Sequence, residues 1–446
     1  MSRVALIGEN SIEYVEKMLD IWNHGDCVVL LDWRIPFQTV VGMLDEAGVK
    51  TCYVEKKVFA KSDAFVPAWL KINQFESKNN TAVRLPESVY DAFKESYSTD
   101  EAVVIYSSGT TGKSKGIILS HYAINTNADA IIDYMEPVGN DCIYIAKSLS
   151  HSSTLTGELL VALKTRMALI IAPTIVPPRY VFRNVVLHGV TLLCLNPTLL
   201  KMYAEDYAHN HYDISTLRTI YVSGSVLNGA ICRTAREVFG GVQICNIYGL
   251  SEAGPRVAAQ KKDCCTGNSV GRPIKDVGVA IIDDQGNPVE SGKCGIIHVD
   301  TRSRYSGYIS GNEKHRSLFC GWLNTGDIGL FDENGELYVM GRIDDVIMID
   351  SHKVYPSEVE EWILQNIDVT KCAVFAVEES AGIKIVCVYA ADRPLAAGEL
   401  RKLHKVLMPY EIPASFIQVD AIPTVVNGKV DYRQLKERFG SSKKHI

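Results

Sequence analysis

The chain opens on an apolar run, Val4-Ala5-Leu6-Ile7. A helical stripe of Ile12, Val15, Met18, Leu19 and Trp22 follows, then a second apolar run, Cys27-Val28-Val29-Leu30-Leu31. A short β-branched run, a 3.6-residue period and another such run predict strand–helix–strand. Strands joined through a helix pair in parallel by a crossover, and such crossovers are right-handed. Asn10 with Glu13 reads as a capping box opening the helix, and His24-Gly25 as its end. Apolar runs at 103–106, 191–195 and 219–222, separated by helical stretches, extend the pattern. The chain up to about residue 300 is therefore of the α/β class.

After Gly267 the texture changes. "VGVAIIDDQGNPVESGKCGIIHV" reads as two strands joined through Asp284, Gly286, Asn287 and Pro288, and "GLFDENGELYVMGRIDDVIMID" as a hairpin around Glu333-Asn334-Gly335. Beyond Asp345, helix (357–365) mixes with strand (372–377, 383–389). The expected architecture is a large N-terminal domain over 1–343, made of α/β subdomains plus a small β-rich subdomain, followed by a small α+β domain over 344–446. No long linker separates the two, which predicts a hinge rather than a tether.

Of the 446 residues, 47% are hydrophobic and 22% charged, with a net charge of −6, which gives no electrostatic reason to expect nucleic acid or an anionic membrane. No apolar run is long enough for a transmembrane helix, and the N-terminus lacks the pattern of a signal peptide. The 12 cysteines are scattered without a CxxC, which predicts reduced thiols and a cytoplasmic location. His209-Asn-His211 has no partner motif and reads as surface histidine rather than half a metal site.

The segment richest in chemistry is 105–121, "IYSSGTTGKSKGIILSH". A strand leads into it and a helix is expected soon after. Gly112-Lys113-Ser114 ends like a Walker loop, but the first glycine that loop requires falls on Ser107. Gly109 and Gly112 still permit unusual torsions, and successive backbone N–H groups in such a turn form an anion-binding concavity.

A better match is to the acyl-adenylate-forming superfamily of acyl- and aryl-CoA synthetases, peptide-synthetase adenylation domains and luciferases. Ser107, Ser108, Gly109, Thr110, Thr111, Gly112, Lys115 and Gly116 resemble its phosphate loop, with Ser114 in place of a proline. The other motifs follow in the family order. "IYGLSEAG" resembles the segment in which the Tyr248 ring meets adenine and Glu252 meets Mg²⁺, a hard cation suited to a carboxylate. "GWLNTGDIG" supplies Asp327 for the ribose hydroxyls, and "MGRIDDVI" supplies Arg342 for the nucleotide. "VSGS" stands at the adenine-contacting turn, with Gly224 and Ser225, and nucleotide contacts extend to Asn246, Gly249 and Ser251. "PTVVNGKVDYRQL" resembles the terminal motif whose lysine, here Lys429, catalyses adenylation.

The resemblance implies two steps. A carboxylate attacks the α-phosphorus of ATP to give acyl-AMP and pyrophosphate; a thiol of CoA or of a carrier protein's phosphopantetheine then releases AMP. Between them the small C-terminal domain would rotate about a hinge, matched by Asp344. "KSLSHSSTLTGELLVAL" aligns with the acid-binding segment: His151 falls at a family histidine, and Ser152, Ser153, Gly157, Ser223 and Gly249 at pocket positions. Ser153 and Gly157 are small, which predicts a deep pocket.

Several features depart from the family. The chain starts at a strand normally preceded by another strand–helix stretch, which suggests an exposed edge and a homo-oligomer covering it. Gly295-Ile296-Ile297 lacks a carboxylate, Met348 replaces a common lysine, and Ser351 replaces a glycine beside the pantetheine path. No aspartate lies in 150–154 to pair with an α-ammonium, which favours a plain aryl or aliphatic acid. The wording of "NGKVDYRQL" is closer to carrier-loading enzymes, which suggests a carrier's phosphopantetheine rather than free CoA as acceptor; a stand-alone amino-acid adenylation enzyme, a P-loop NTPase and a silent fold relative stay open.

Overall fold

The structure, a computed structural model, describes residues 1–61, 66–78, 81–107, 114–173, 177–227, 229–261, 269–311, 318–319, 321–349, 352–379, 382–424 and 430–440. It divides into two compact units. The first comprises Met1–Gly224, Ala235–Ala280 and His298–Thr325; the second comprises Ser225–Thr234, Ile281–Ile297 and Gly326–Ile446.

The first unit contains two sheets. One runs in the order Gly307–Tyr308, Lys115–Ser120, Glu101–Ser107, Cys27–Leu31, Arg3–Ile7, Thr51–Glu55, Lys71–Phe75. Its strands up to Glu101–Ser107 pair in parallel, as the opening crossover requires. The first strand lies between two others, and the sheet's edges are Gly307–Tyr308 and Lys71–Phe75. All five residues of Cys27–Leu31 are buried, the mark of a parallel strand covered on both faces.

The second sheet has the parallel strands Thr219–Val222 and Gln243–Tyr248 next to Leu192–Leu195 and Cys142–Ile145. Ligands of such sheets bind outside the carboxyl ends of the strands. Ser223 and Gly249 follow directly at two of those ends.

The opening helix, Ile12–Asn23, begins one residue later than the capping-box reading. Its cap is Ser11, whose side chain accepts from the Tyr14 N–H at 3.1 Å. Asn10 instead reaches a distant segment, donating to the Lys147 carbonyl at 2.7 Å and accepting from the Leu149 N–H at 2.9 Å. The sequence pattern could not show this, because the partners lie more than a hundred residues away.

The β-rich stretch forms as the strands Val277–Ile282, Gly295–Thr301, Trp322–Phe331 and Leu337–Arg342. The second unit also holds a hairpin of Lys371–Glu379 and Gly382–Ala390, with Ser415–Gln418 added in parallel. Alternate residues face opposite sides. Val374, Ile385 and Cys387 share a core with Val359 and Ile363 of the helix Pro356–Asn366, whereas Phe375, Val386 and Val388 share one with Leu435 of Tyr432–Phe439. The class is α/β with a smaller α+β part, as the sequence predicts.

Among the described residues, nine cysteines lie outside any disulfide, and eight of them are buried. No described helix is long and apolar enough to cross a membrane. His209 and His211 are exposed at the end of the helix Pro197–Asn210.

Candidate active site

Ser107 ends its strand paired with Lys115, which begins the antiparallel return strand Lys115–Ser120. The glycine-rich segment therefore connects two strands of a hairpin. The next helix starts only at His121, capped by Ser120, whose Oγ accepts from the Ala123 N–H at 3.1 Å. A Walker loop runs from strand directly into helix. The intervening antiparallel strand removes the P-loop NTPase reading and corrects the expectation of a helix soon after the loop. Ser108, Gly109, Thr110, Thr111 and Gly112 lie outside the described residues, as does the Ser107 side chain.

Gly307–Tyr308 pairs with the return strand, Tyr308 opposite Ile117. The Lys115 Nζ stands 5.7 Å from the centre of the Tyr308 ring. The Tyr308 hydroxyl donates to Glu252 Oε1 at 2.9 Å, and the Tyr305 N–H donates to the Glu252 carbonyl at 2.9 Å. Glu252 is 6% exposed. The lysine at the loop's exit and the carboxylate of the Tyr248 segment thus share one aromatic neighbour.

Glu252 sits in a single 3₁₀ turn, Ser251–Ala253, just after Gln243–Tyr248. Gly249 makes this turn possible: a Cβ there would stand 1.9 Å from the Pro255 carbonyl oxygen. Asn246 is fully engaged at its backbone and amide, donating from N–H to Gln260 Oε1 at 2.9 Å and from Nδ2 to the Ser269 carbonyl at 3.0 Å. Val222 is in register with Asn246, which sets Ser223 and Gly224 beside the end of the Tyr248 strand. Gly224 has φ +105° and Ser223 is buried.

The His151 segment reaches this turn where Ser152 Oγ meets Ser251 Oγ at 2.7 Å. His151 is half-buried and its carbonyl accepts from the N–H groups of Thr154 and Leu155. The turn Ser152–Thr154 continues into a six-residue π-helix, Leu155–Leu160, a rare conformation that is frequent at functional sites. Gly157 does not open a deep pocket. Arg256 occupies the space beside it, and a Cβ on Gly157 would lie 2.8 Å from its Nη2. Asp32, in the electrostatic field of His151, is held by Arg34 at 2.7 and 2.5 Å. Burial pushes the Asp32 pKa up, but the Arg34 hydrogen bonds prevail and hold it below its ordinary value.

In the second unit, Asp327 and Arg342 are a cross-strand pair, with Arg342 Nη1 donating to Asp327 Oδ1 at 3.2 Å. Arg342 Nη2 is also 3.7 Å from Asp344 Oδ2, on an exposed side chain. Ser225 is exposed.

A model of the AMP-binding enzyme family matches residues 1–309. The chain belongs to that family. This AMP-binding enzyme is 26% identical over 470 residues to the fatty acid–[acyl-carrier-protein] ligase ScoC of Streptomyces coeruleorubidus, covering 98% of this chain and 86% of that one. It is 27% identical over 460 residues to the indoleacetate–CoA ligase of Aromatoleum aromaticum, covering 98% and 89%. Its fold is that of ATP-bound MatB from Rhodopseudomonas palustris, with a TM-score of 0.87 at 23% identity, covering 99% and 90%. It is an AMP-forming ligase of the acid–thiol class.

Lys429 and Ser351 of this AMP-binding enzyme lie outside the described residues. Sequence reading missed Tyr308, Asn10, Asn127 and Arg256. Arg256 carried a faint signal, a charge four residues beyond Glu252 inside an otherwise apolar "AGPRVAA". Tyr308 and Asn127 carried none, and Asn10 carried that of a helix cap.

Proposed function

We propose that this enzyme activates a carboxylic acid as acyl-AMP, releases pyrophosphate, and passes the acyl group to a pantetheine thiol of CoA or of a carrier protein. The observation that carries the reading is the Lys115–Tyr308–Glu252 constellation, which joins the exit of the loop to a buried carboxylate. Among the described residues no three His, Cys, Asp or Glu gather as a metal site. A lone carboxylate fits Mg²⁺, which keeps its waters and takes its other ligands from substrate phosphates. Glu252 would hold it, and the ion would supply charge neutralisation at the phosphates.

In this reading the 107–116 loop with Lys115 holds the β- and γ-phosphates. Tyr248, Gly224, Ser225, Asn246, Gly249 and Ser251 bound the adenine side, and Asp327, steadied by Arg342, accepts from the ribose hydroxyls. His151, Ser152, Ser153, Gly157 and Ser223 border the acid. The acid's carboxylate oxygen attacks the α-phosphorus as the bond to the leaving pyrophosphate breaks. Lys429 offsets the charge gathering there, an electrostatic contribution aimed at the transition state. Domain rotation at Asp344 then admits the thiol, whose sulfur attacks the acyl carbon as AMP leaves.

A plain acid is favoured over an α-amino acid because Asp32, the carboxylate coupled to His151, is already committed to Arg34. The test is ATP–pyrophosphate exchange over aryl, aliphatic and amino acids. Exchange with Lys429→Ala should fall on the order of a hundredfold or more, while thioester formation from supplied acyl-AMP continues. Orthophosphate release without AMP, or an amino acid as the best substrate, would overturn the reading.

A further inference from the structure

Beside the acid-binding segment lies a buried cluster of charge that the proposed chemistry does not use. Arg256 is 2% exposed and its guanidinium presses on Gly157, with distances from a Cβ there of 2.8 Å to Nη2 and 3.1 Å to Nε. Nε is buried without a hydrogen-bond partner. The side chain's position is not adventitious, because Asn127, fully buried, clamps the Arg256 backbone from both sides. Its Oδ1 accepts from the Arg256 N–H at 3.0 Å and its Nδ2 donates to the Arg256 carbonyl at 3.0 Å.

The nearby carboxylate does not neutralise this cation. Glu158 is fully buried and interacts with Arg256 through space, but it is paired with Lys147, whose Nζ is 2.8 Å from Oε1. Burial also raises the Glu158 pKa, with Lys147 and Arg256 opposing, and so weakens its negative charge. Two cations and one carboxylate leave a positive excess in a desolvated place, where an unpaired charge is costly. The hydroxyls of Thr154 and Thr156, on the same stretch of helix, are buried and unpartnered too. A guanidinium offers planar donors suited to a carboxylate.

We propose that Arg256 receives a second anionic group of the substrate, so that this ligase selects acids bearing a negative charge beyond the carboxylate it activates. The inference rests on the ligase reading above and narrows its substrate class. An unsubstituted aliphatic or aryl acid would leave the guanidinium unpaired; a dicarboxylate would pair it. Gly157 is then a glycine because the guanidinium needs its space.

The experiment measures ATP–pyrophosphate exchange by the full chain with dicarboxylates of graded length, their methyl half-esters and the matching monocarboxylates. The best dicarboxylate should exceed its half-ester in kcat/KM by about 100-fold, since a site built for a polar partner rejects the analogue lacking it. In Arg256→Met the two should fall to near parity, and Arg256→Lys should lie between them. ATP binding by calorimetry reports folding of each variant independently of the acid, and Arg256→Lys carries the comparison if Arg256→Met does not fold. Parity in the wild type, or a preference unchanged in the variants, overturns this inference alone. Exchange with no acid at all overturns the ligase reading and this inference with it.

Discussion

The Tyr308 hydroxyl donates to Glu252 Oε1 across 2.9 Å, and the same ring lies under the ammonium of Lys115. One phenol thus touches both the carboxylate proposed for the cation and the lysine at the exit of the phosphate loop. Tyr308→Phe keeps the ring and removes the donor. Hydrogen bonds to charged groups contribute about 1.5–3 kcal/mol. The variant should need on the order of tenfold more Mg²⁺ for half-maximal pyrophosphate exchange, with the KM for the acid little changed. A magnesium titration at saturating ATP and acid checks this, and an unchanged midpoint would separate Glu252 from the metal.

Gly249→Ala places a methyl 1.9 Å from the Pro255 carbonyl oxygen and 3.0 Å from the Arg256 Cα. Backbone atoms cannot yield as a flexible side chain does, so the Glu252 turn must deform. The expected cost is about 3 kcal/mol or more, the upper range for overpacking. Urea unfolding measures it, and pyrophosphate exchange should be lost even where the variant remains folded.

Asn10→Ala removes both hydrogen bonds that hold Lys147 and Leu149 ahead of His151. The effect should fall on the acid rather than the nucleotide. KM for the acid should rise roughly tenfold, an estimate from the worth of buried hydrogen bonds, with KM for ATP nearly constant. Equal rises in both constants would mean a general loosening of the fold.

Glu360 gives the second unit a pH dependence. Burial pushes its pKa up to about 7 from an ordinary 4.5, against the opposing hydrogen bonds from the Tyr432 hydroxyl at 2.6 Å and the Val374 N–H at 2.7 Å. Asp345 adds like charge and Lys371 a weaker opposite one. Below the unfolded value the carboxyl is protonated in both states. As pH rises from about 4.5 to about 7, the unfolded chain releases a proton that the folded one keeps, so stability falls. The loss totals roughly 3 kcal/mol. Glu360→Gln should flatten this slope; thermal unfolding of the whole chain between pH 5 and about 8, followed by near-ultraviolet signals, tests it.

Periodicity carried the α/β class and the main strands because those signals are local: apolar runs mark the parallel strands and also Lys371–Glu379 and Gly382–Ala390, which are apolar on both faces. Motif order singled out Tyr248, Glu252, Asp327 and Arg342 as candidates, and the structure pairs Asp327 with Arg342 across two strands. The supports were hidden because they are contacts between remote stretches. Asn10 looked like a helix cap until its partners at Lys147 and Leu149 were visible. Gly157 looked like open space because a glycine in a sequence does not show which side chain fills the gap. The strand after the phosphate loop was misjudged because Gly112-Lys113-Ser114 suggested a helix, whereas Gly116-Ile117-Ile118-Leu119 is β-branched and apolar.

The hairpin that carries the glycine-rich loop also decides where its affinity comes from. A phosphate loop leading straight into a helix gains the partial positive charge of the helix N-terminus. Here the chain leaves through Lys115–Ser120, and the first helical residue is His121. That source of attraction is missing at the loop's exit. In the proposed reading the triphosphate would then rest on the loop's own backbone N–H groups, on side-chain ammonium groups and on a bound cation, of which salt screens the second and chelators remove the third. On that reading, nucleotide affinity would answer to the ionic composition of the surroundings, with no helix dipole at the loop's exit to buffer it.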